Sequence, residues 1–255
     1  MDLTQNTEKL VSIITPTYNC GPFIARTIES IQRQTYKNWE MIIVDDCSTD
    51  NTKEIVAQYM QNDPRIQYHC LEKNSGAAVA RTTSMQIAKG SYMAFCDSDD
   101  VWTENKLQRQ IFWMQENGYH FSCTAYDQID EADRSLNKII KAPKKISYDR
   151  QLLDAPIGNS TVIYDVETMG KFEVPNIKKR NDDALWFQLY KVEKYCYGLN
   201  EILAHYRIRK GSISSNKMQL LKYHWILYRD ICHLSVIRSA FHIALWCVIK
   251  VLHIK

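Results

Sequence analysis

The stretch SYMAFCDSDD, residues 91–100, joins a short apolar run directly to three aspartates. The run has the length and composition of a buried strand. Three carboxylates within four residues repel one another unless positive charge offsets them, and a divalent cation with oxygen ligands is the natural partner. Because Mg²⁺ or Mn²⁺ takes most of its other ligands from phosphates and water, the pair Asp97 and Asp99 suits a nucleotide diphosphate. Alternatively, the cluster is an acidic helix start in which Asp100 caps a helix predicted near Thr103.

Upstream of this strand, predicted strands and helices alternate. Residues 11–19, 39–46 and 66–71 are predicted strands, and each is followed by a segment with helical spacing. This alternation predicts a parallel sheet with right-handed crossovers, in which ligands bind beyond the carboxyl ends of the strands. The other polar residues at those ends are Thr15, Tyr18, Asp45 and Asp46. One of the two aspartates either caps the following helix or accepts a hydrogen bond from a nucleobase N–H.

A further acidic pair, Asp182 and Asp183, precedes Leu185 and Trp186 at helical spacing and so lies at a helix start. The pair either caps that helix or contains a general base for a substrate hydroxyl. Between the two acidic clusters, residues 158–160 (Gly-Asn-Ser) precede the predicted strand TVIYD and are predicted to form a turn at the mouth of the site.

Composition limits the class of protein. The chain has 255 residues, which suits one large domain or a domain with a short appendage, and 45% hydrophobic with 24% charged residues exclude bulk disorder. A net charge of +3 is too small to indicate a nucleic-acid partner. The eight cysteines contain no CxxC pair, which disfavours structural zinc, and the polar first ten residues do not resemble a signal peptide. We therefore expect a cytoplasmic protein.

The C-terminal region is basic. Residues 203–255 contain nine Lys or Arg and one acid, a local charge of +8, which leaves −5 for the remainder. We expect this end to meet an anionic partner such as phosphate or lipid headgroups. Residues 235–254 form a predicted amphipathic helix in which charge interrupts the apolar residues too often for a membrane span. The helix either lies on a membrane with its basic stripe facing the headgroups, or packs on the protein or a second subunit.

Five segments resemble the glycosyltransferase family 2 enzymes. In order they are VSIITPTYN, SIQRQTYKNWEMIIVDDCSTDNT, NSGAAVARTTSMQIAKGSYMAFCDSDD, RNDDALWFQL and YRIRKGSIS, and they extend from about residue 11 to 215. The resemblance implies an α/β GT-A fold with a mostly parallel nucleotide-binding sheet flanked by helices. Residues 1–215 would be the catalytic domain, with a nucleotide-binding half (1–100) and an acceptor half (101–215), and residues 216–255 a helical appendage.

The same resemblance implies an inverting transfer of a sugar from a nucleotide diphosphate sugar, with UDP favoured, to an acceptor hydroxyl, assisted by Mn²⁺ or Mg²⁺. It gives each matching position a role. Asp99 is the metal ligand and Asp182 the catalytic base. The nucleotide contacts are Thr15 and Tyr18 for the nucleoside, Asp46 or Asp45 for the base, Arg81 near the base and phosphates, and Asp97 for the ribose.

Two departures from the family pattern affect these roles. Asn181 stands where the family often has Glu, and Asp183 follows the expected base, so the base is displaced by one position if the alignment shifts. Arg209 stands where many relatives carry His, which favours a diphosphate contact over a metal ligand. The candidates for that contact are Arg207, Arg209 and Lys210, with a solvated basic loop as the alternative.

The resemblance further implies a glycan acceptor on a polyprenyl diphosphate lipid, in O-antigen or capsule assembly, at the inner face of the cytoplasmic membrane. A sugar-phosphate nucleotidyltransferase is the alternative enzyme, but it needs a basic, Gly-rich phosphate loop after the first strand, and TYNCGPF has no Lys or Arg before Arg26. A non-catalytic scaffold is a third reading. Asp97, Asp99 and Asp182 argue against it, and Asn181 keeps it open.

Overall fold

The computed structural model describes residues 9–209 and 217–251, and its first half alternates strands with helices as predicted. Each predicted strand ends within two residues of the observed strand, at the polar residues that follow the apolar run. The elements are β1 (Val11–Thr17), α1 (Gly21–Gln32), β2 (Trp39–Asp45), α2 (Thr52–Asn62), β3 (Ile66–Cys70), α3 (Ala77–Ile87) and β4 (Tyr92–Phe95).

The second half begins with a short strand that the sequence analysis did not predict. The helix predicted near Thr103 starts at Lys106, because residues 101 and 102 pair with a later strand instead. The elements are β5 (Val101–Trp102), α4 (Lys106–Asn117), β6 (Phe121–Ile129), β7 (Ser135–Ile140), β8 (Lys145–Ser147), α5 (Tyr148–Asp154), β9 (Ile163–Asp165), α6 (Val166–Met169), α7 (Asn181–Leu189) and β10 (Tyr195–Arg207). A single 3₁₀ turn, Asn159–Thr161, precedes β9.

All ten strands of the described region join one sheet. Eight of them follow the order β3-β2-β1-β4-β9-β6-β10-β5, and the other two are attached beside this path, β7 paired with β6 and β8 paired with β10. The strands β3, β2, β1 and β4 are parallel, as the alternation predicts. β9 is antiparallel to both of its neighbours, so β6 and β10 again run in the direction of β4. The carboxyl ends of β1, β2, β4, β6 and β10 therefore lie at one edge of the sheet, where the acidic residues collect.

Helices cover both faces of the sheet. Neighbouring residues of a strand point to opposite faces, so Ile13 and Ile14 of β1 lie in two separate hydrophobic clusters. Helices α1, α2 and α4 contribute to the Ile13 cluster, whereas α3 and α7 contribute to the Ile14 cluster. Burial on both faces explains why β1 and β2 are almost continuously apolar.

The C-terminal part consists of α8 (Lys217–Ile226), a π-helical segment (Leu227–Ile231) and α9 (Val236–Val251). It packs on the rest of the chain, since the Tyr228 hydroxyl donates to the Leu152 carbonyl at 2.8 Å. Of the two alternatives given for the last helix, the structure shows packing on the protein, where His242 of its polar stripe is buried, and membrane contact stays a prediction. No helix in the described ranges is long and apolar enough to cross a membrane.

Candidate active site

The loops after β1 and β2 bring the predicted nucleoside-binding residues to the sheet edge. Thr15 is fully buried, and its hydroxyl has no hydrogen-bond partner within the described ranges. Tyr18, just beyond the strand, is 46% exposed. Tyr18 thus offers an exposed ring face to a nucleoside, whereas Thr15 has no exposed surface in this structure and its nucleoside contact stays a prediction.

The two aspartates at the end of β2 accept hydrogen bonds that fix the conformation of the neighbouring loops. Asp45 is fully buried and accepts hydrogen bonds from the Ser48 N–H at 2.7 Å and the Tyr68 hydroxyl at 2.8 Å. Asp46 accepts hydrogen bonds from the N–H groups of Ser75 (2.6 Å) and Gly76 (2.8 Å), directly before α3. Gly76 has φ 93°, a conformation that glycine adopts without strain. Asp46 thus fixes the start of the helix that carries Arg81, and its contact with a base stays a prediction.

Arg81 connects the nucleotide-binding half to α7. Its guanidinium is almost fully buried, pairs with an Asp97 carboxylate oxygen at 3.2 Å and donates to the side-chain oxygen of Asn181. The same Asp97 oxygen accepts a hydrogen bond from Asn159 at 2.7 Å. Burial raises the pKa of Asp97 to about 6, Arg81 offsets part of that rise, and the charges of Asp99 and Asp182 add to it. The predicted ribose contact, phosphate contact and base are therefore within electrostatic reach of one another.

Asp99 lies between two arginines from the end of β10. One of its carboxylate oxygens pairs with the Arg209 Nε at 2.7 Å, and its backbone carbonyl accepts a hydrogen bond from the Arg207 Nε at 2.7 Å. Arg207 is buried and also donates to the Asp130 carbonyl at 2.9 Å. The alternative of a solvated basic loop is therefore wrong for Arg207, whose buried side chain stabilises the aspartate loop by a hydrogen bond to its backbone. Lys210 lies outside the described residues.

Asp100 has a structural environment. It is fully buried, and its carboxylate accepts hydrogen bonds from the Ser160 hydroxyl and from the Arg207 backbone N–H at 2.9 Å. Burial raises the pKa of the Asp100 carboxyl well above its usual range. The prediction that it caps the next helix is wrong, because α4 begins at Lys106 and strand β5 intervenes.

The first turn of α7 carries the acidic pair in two different settings. Asp183 is buried, pairs with the Arg180 Nε at 2.8 Å and accepts a hydrogen bond from Gln151 at 2.7 Å. Burial raises the pKa of Asp183 to about 7, and the neighbouring Arg180 opposes that rise. Asp182 is partly exposed, and the structure gives its carboxylate no hydrogen bond or ion pair in residues 9–209 and 217–251. The geometry therefore favours Asp182 over Asp183 as the carboxylate that can reach a substrate.

Three supporting residues had no predicted role in holding the aspartates. Asn159 and Ser160, in the turn predicted for the mouth of the site, contact Asp97, and Asn181 orients Arg81. The only signal for them in the sequence is the turn itself and the departure from Glu at position 181. Their partners lie 62, 63 and 100 positions away in the chain, which places these contacts beyond local pattern reasoning.

A divalent cation fits this loop only as a partner of a bound diphosphate. The part of the chain that the structure describes contains no group of three or more His, Cys, Asp or Glu side chains arranged to hold a metal. Asp99 nevertheless offers the hard carboxylate oxygens that Mg²⁺ and Mn²⁺ prefer, and its side chain is 18% exposed. One protein carboxylate is enough where phosphates and water complete the coordination.

Comparison with known proteins agrees with this geometry. The family model described as Glycosyl transferase family 2 matches residues 12–176. TuaG of Bacillus subtilis, named for glycosyl transfer in teichuronic acid biosynthesis, is 44% identical over 245 residues, which cover 96% of this chain and 95% of TuaG. WfgD of Escherichia coli, named as a UDP-Glc:alpha-D-GlcNAc-diphosphoundecaprenol beta-1,3-glucosyltransferase, is 38% identical over 87% of this chain and 86% of its own length.

The fold is similar to that of solved structures. The crystal structure of residues 1–349 of Staphylococcus aureus TarS in complex with UDP-GlcNAc matches 94% of this chain and 71% of that chain, with a TM-score of 0.71 and 21% identity. The predicted α/β architecture of a central sheet flanked by helices is therefore confirmed.

Proposed function

The chain belongs to glycosyl transferase family 2, and on that premise we propose that it transfers a sugar, with inversion, from a UDP-sugar to a hydroxyl of a lipid-linked saccharide during cell-surface polysaccharide assembly. One observation carries the proposal. Arg81 joins Asp97 of the nucleotide-binding half to Asn181 of α7, and the next residue, Asp182, has no ion pair or hydrogen bond of its carboxylate among the described residues. The donor and the base are thereby held on the same side of the sheet edge.

Donor binding follows from the residues at the strand ends. Thr15 and Tyr18 receive the nucleoside, and Asp97 accepts hydrogen bonds from the ribose. Arg81 lies beside Asp97 and places a buried positive charge next to the phosphates. Asp99 would hold Mn²⁺ or Mg²⁺, which neutralises the diphosphate and improves it as a leaving group when it is bound.

The transfer step needs a base that is ionised and accessible. Asp182 accepts the proton of the acceptor hydroxyl, whose oxygen attacks the anomeric carbon from the face opposite the diphosphate. The new C–O bond forms as the old one breaks, so the configuration inverts without a covalent enzyme intermediate. Arg209, which pairs with Asp99, is placed to add positive charge near the departing diphosphate.

The donor nucleotide and the acceptor are supported by relatives. WfgD and WfaP of Escherichia coli carry names that give UDP-Glc as donor and a diphosphoundecaprenol-linked GlcNAc as acceptor. TarS is solved with UDP and with UDP-GlcNAc. We propose that the acceptor of this chain is likewise an O-antigen, capsule or teichuronic acid precursor, and that the enzyme acts at the inner face of the cytoplasmic membrane in peripheral contact through its C-terminal helices.

Calorimetric titration tests the proposal. UDP, with GDP as the nucleotide control, is titrated into the protein with Mn²⁺ and again with EDTA. UDP binding that requires metal and disappears in Asp99→Ala supports the assignment, whereas Glu201→Ala, which breaks an exposed ion pair with Arg109, should bind UDP as the wild type does. Absence of binding by folded protein would overturn the transferase assignment. Binding of UDP without hydrolysis or transfer of any UDP-sugar would favour the scaffold.

A further inference from the structure

Helix α9 packs on the protein through one narrow face. Ser239, His242 and Trp246 are buried, and at 100° per residue they fall within about 60° of one another around the helix. Their ring contacts are to the preceding helical segments: Trp246 lies 4.5 Å from His224 and His242 lies 5.9 Å from Tyr228, between ring centroids. The polar residues Ser239 and His242 therefore face inward.

The opposite face of α9 is apolar and exposed. Ile237 is 83% exposed, Phe241 60% and Val248 47%. Together with the exposed Ala244 they occupy about 60° of the helix surface, centred on the side away from the protein. We call these four residues the outer stripe. Large apolar side chains grouped in this way on a soluble surface mark a contact site rather than chance exposure.

The charge around the outer stripe indicates what covers it. Residues 217–251, which form α8, the π-helical segment and α9, contain five Lys or Arg and a single acid, Asp230. Arg238 is more than half exposed beside the stripe, and Lys222 and Trp225 of α8 are exposed as well. In a symmetric dimer the same basic surface would face itself and repel, whereas an anionic headgroup layer attracts it. Apolar residues flanked by Lys, Arg and Trp are the composition of helices that lie in a lipid interface.

We propose that the outer stripe of α9 inserts into the surface of an anionic phospholipid membrane while the Ser239–His242–Trp246 face stays packed on the catalytic domain. The choice of a membrane, and not another anionic surface, rests on the proposed lipid-linked acceptor. Of the predicted polar stripe, His242 faces the enzyme and not the headgroups, while the apolar residues enter the lipid. A helix fixed in this way sets the height of the active site above the membrane.

Vesicle sedimentation tests the proposal. The full-length protein is mixed with vesicles of phosphatidylcholine alone or with added phosphatidylglycerol, which makes the vesicle surface anionic, without nucleotide or acceptor. We expect binding to the anionic vesicles that weakens with salt. Ile237→Asp and Phe241→Asp should each lower the partition coefficient roughly tenfold or more, because each removes an inserted side chain and adds a negative charge. Ile139→Asp, at a site 58% exposed on β7, is the matched control and should bind as the wild type does.

The outcomes separate this proposal from the proposed function. UDP titration of the same variants should match the wild type, since α9 is remote from the nucleotide residues; failure of the wild type to bind UDP concerns the transferase assignment alone. Absence of wild-type binding to either vesicle, or equal binding by Phe241→Asp, overturns membrane docking. Light scattering that shows a wild-type dimer dissociated by Phe241→Asp overturns it too, because the stripe would then cover a second copy.

Discussion

Replacing Ser160 with alanine should destabilise the protein strongly, because one hydroxyl serves two groups of the aspartate loop. The Ser160 oxygen accepts a hydrogen bond from the Asp97 backbone N–H at 3.0 Å and donates its own hydrogen to the Asp100 carboxylate. Asp100 is fully buried, so bulk solvent does not reach it to replace the lost donor. The variant leaves an unsatisfied N–H and a buried carboxylate with one fewer hydrogen bond.

The magnitude follows from these two losses. A buried polar group left without its partner costs about 1–3 kcal/mol, more when it is charged, so the free energy of unfolding should fall by about 2–4 kcal/mol. For a chain of this length, 1 kcal/mol lowers Tm by about 2–4 °C, which predicts a decrease of roughly 5–15 °C.

Urea unfolding of Ser160→Ala, Asp100→Asn and the double variant measures the effect and its origin. If the serine acts through the carboxylate, the double-mutant cycle should give a coupling free energy of about 0.5–3 kcal/mol. Ser135→Ala is the matched control, since that hydroxyl is exposed and accepts only the Asn137 N–H. A loss below about 0.5 kcal/mol for Ser160→Ala, or additive effects in the cycle, would refute the reasoning.

Three further variants test other parts of the molecule. Asp182→Asn should lower kcat by roughly 10²–10⁴ with an unchanged UDP dissociation constant, because the base contacts only the acceptor; a parallel loss of UDP affinity in calorimetry would contradict that role. Arg209→Ala should tighten Mn²⁺ binding in the presence of saturating UDP by about two- to fivefold, since it removes an ion pair to Asp99 worth about 0.5–1 kcal/mol, and an unchanged calorimetric affinity would exclude the competition. Burial lowers the pKa of the Lys106 ammonium to about 7 from the ordinary 10.5, so between these values the unfolded chain binds more protons and stability rises with pH. The free energy of unfolding of the wild type, measured in urea relative to Lys106→Met, should therefore increase from pH 7 to pH 9 by up to ~1.4 kcal/mol per pH unit. Parallel pH profiles of the two proteins would show that the pKa of Lys106 is not lowered by folding.

The strand ends could be predicted from the sequence because local rules determine them. A buried parallel strand is an apolar run that stops where polar residues begin, so β1, β2 and β4 end within two residues of the predicted limits. The same rule places Thr15, Asp45 and Asp97 at one sheet edge, since parallel strands share their direction. No long-range information is needed for either step.

The partners of those residues could not be predicted, since they come from distant segments. β5 is two residues long and exists only because β10 pairs with it, which moved the start of α4 to Lys106. Arg207 lies in a segment whose composition is typical of a solvated basic loop. It is nevertheless buried, because its guanidinium donates hydrogen bonds to the Asp99 and Asp130 carbonyls. Likewise, the periodicity of α9 identifies an amphipathic helix but not which stripe is buried, because that depends on His224 and Tyr228 of other segments.

The aspartate loop explains why three carboxylates in four residues do not require three metal ligands. Each has a different positive or donor partner: Asp97 has Arg81, Asp99 has Arg209, and Asp100 has Ser160 and the Arg207 N–H. The repulsion inferred from the sequence is thus reduced, though not removed, by groups that follow in the chain by up to 110 positions or precede by 16. Among these partners, only Arg209, which pairs with Asp99, is a partly exposed side chain at a strand end. Replacing this ion pair by a metal and a diphosphate costs little, because a partly exposed pair contributes about 1 kcal/mol or less. On donor binding we therefore expect the loop to lose the Asp99–Arg209 ion pair and to keep the partners of Asp97 and Asp100.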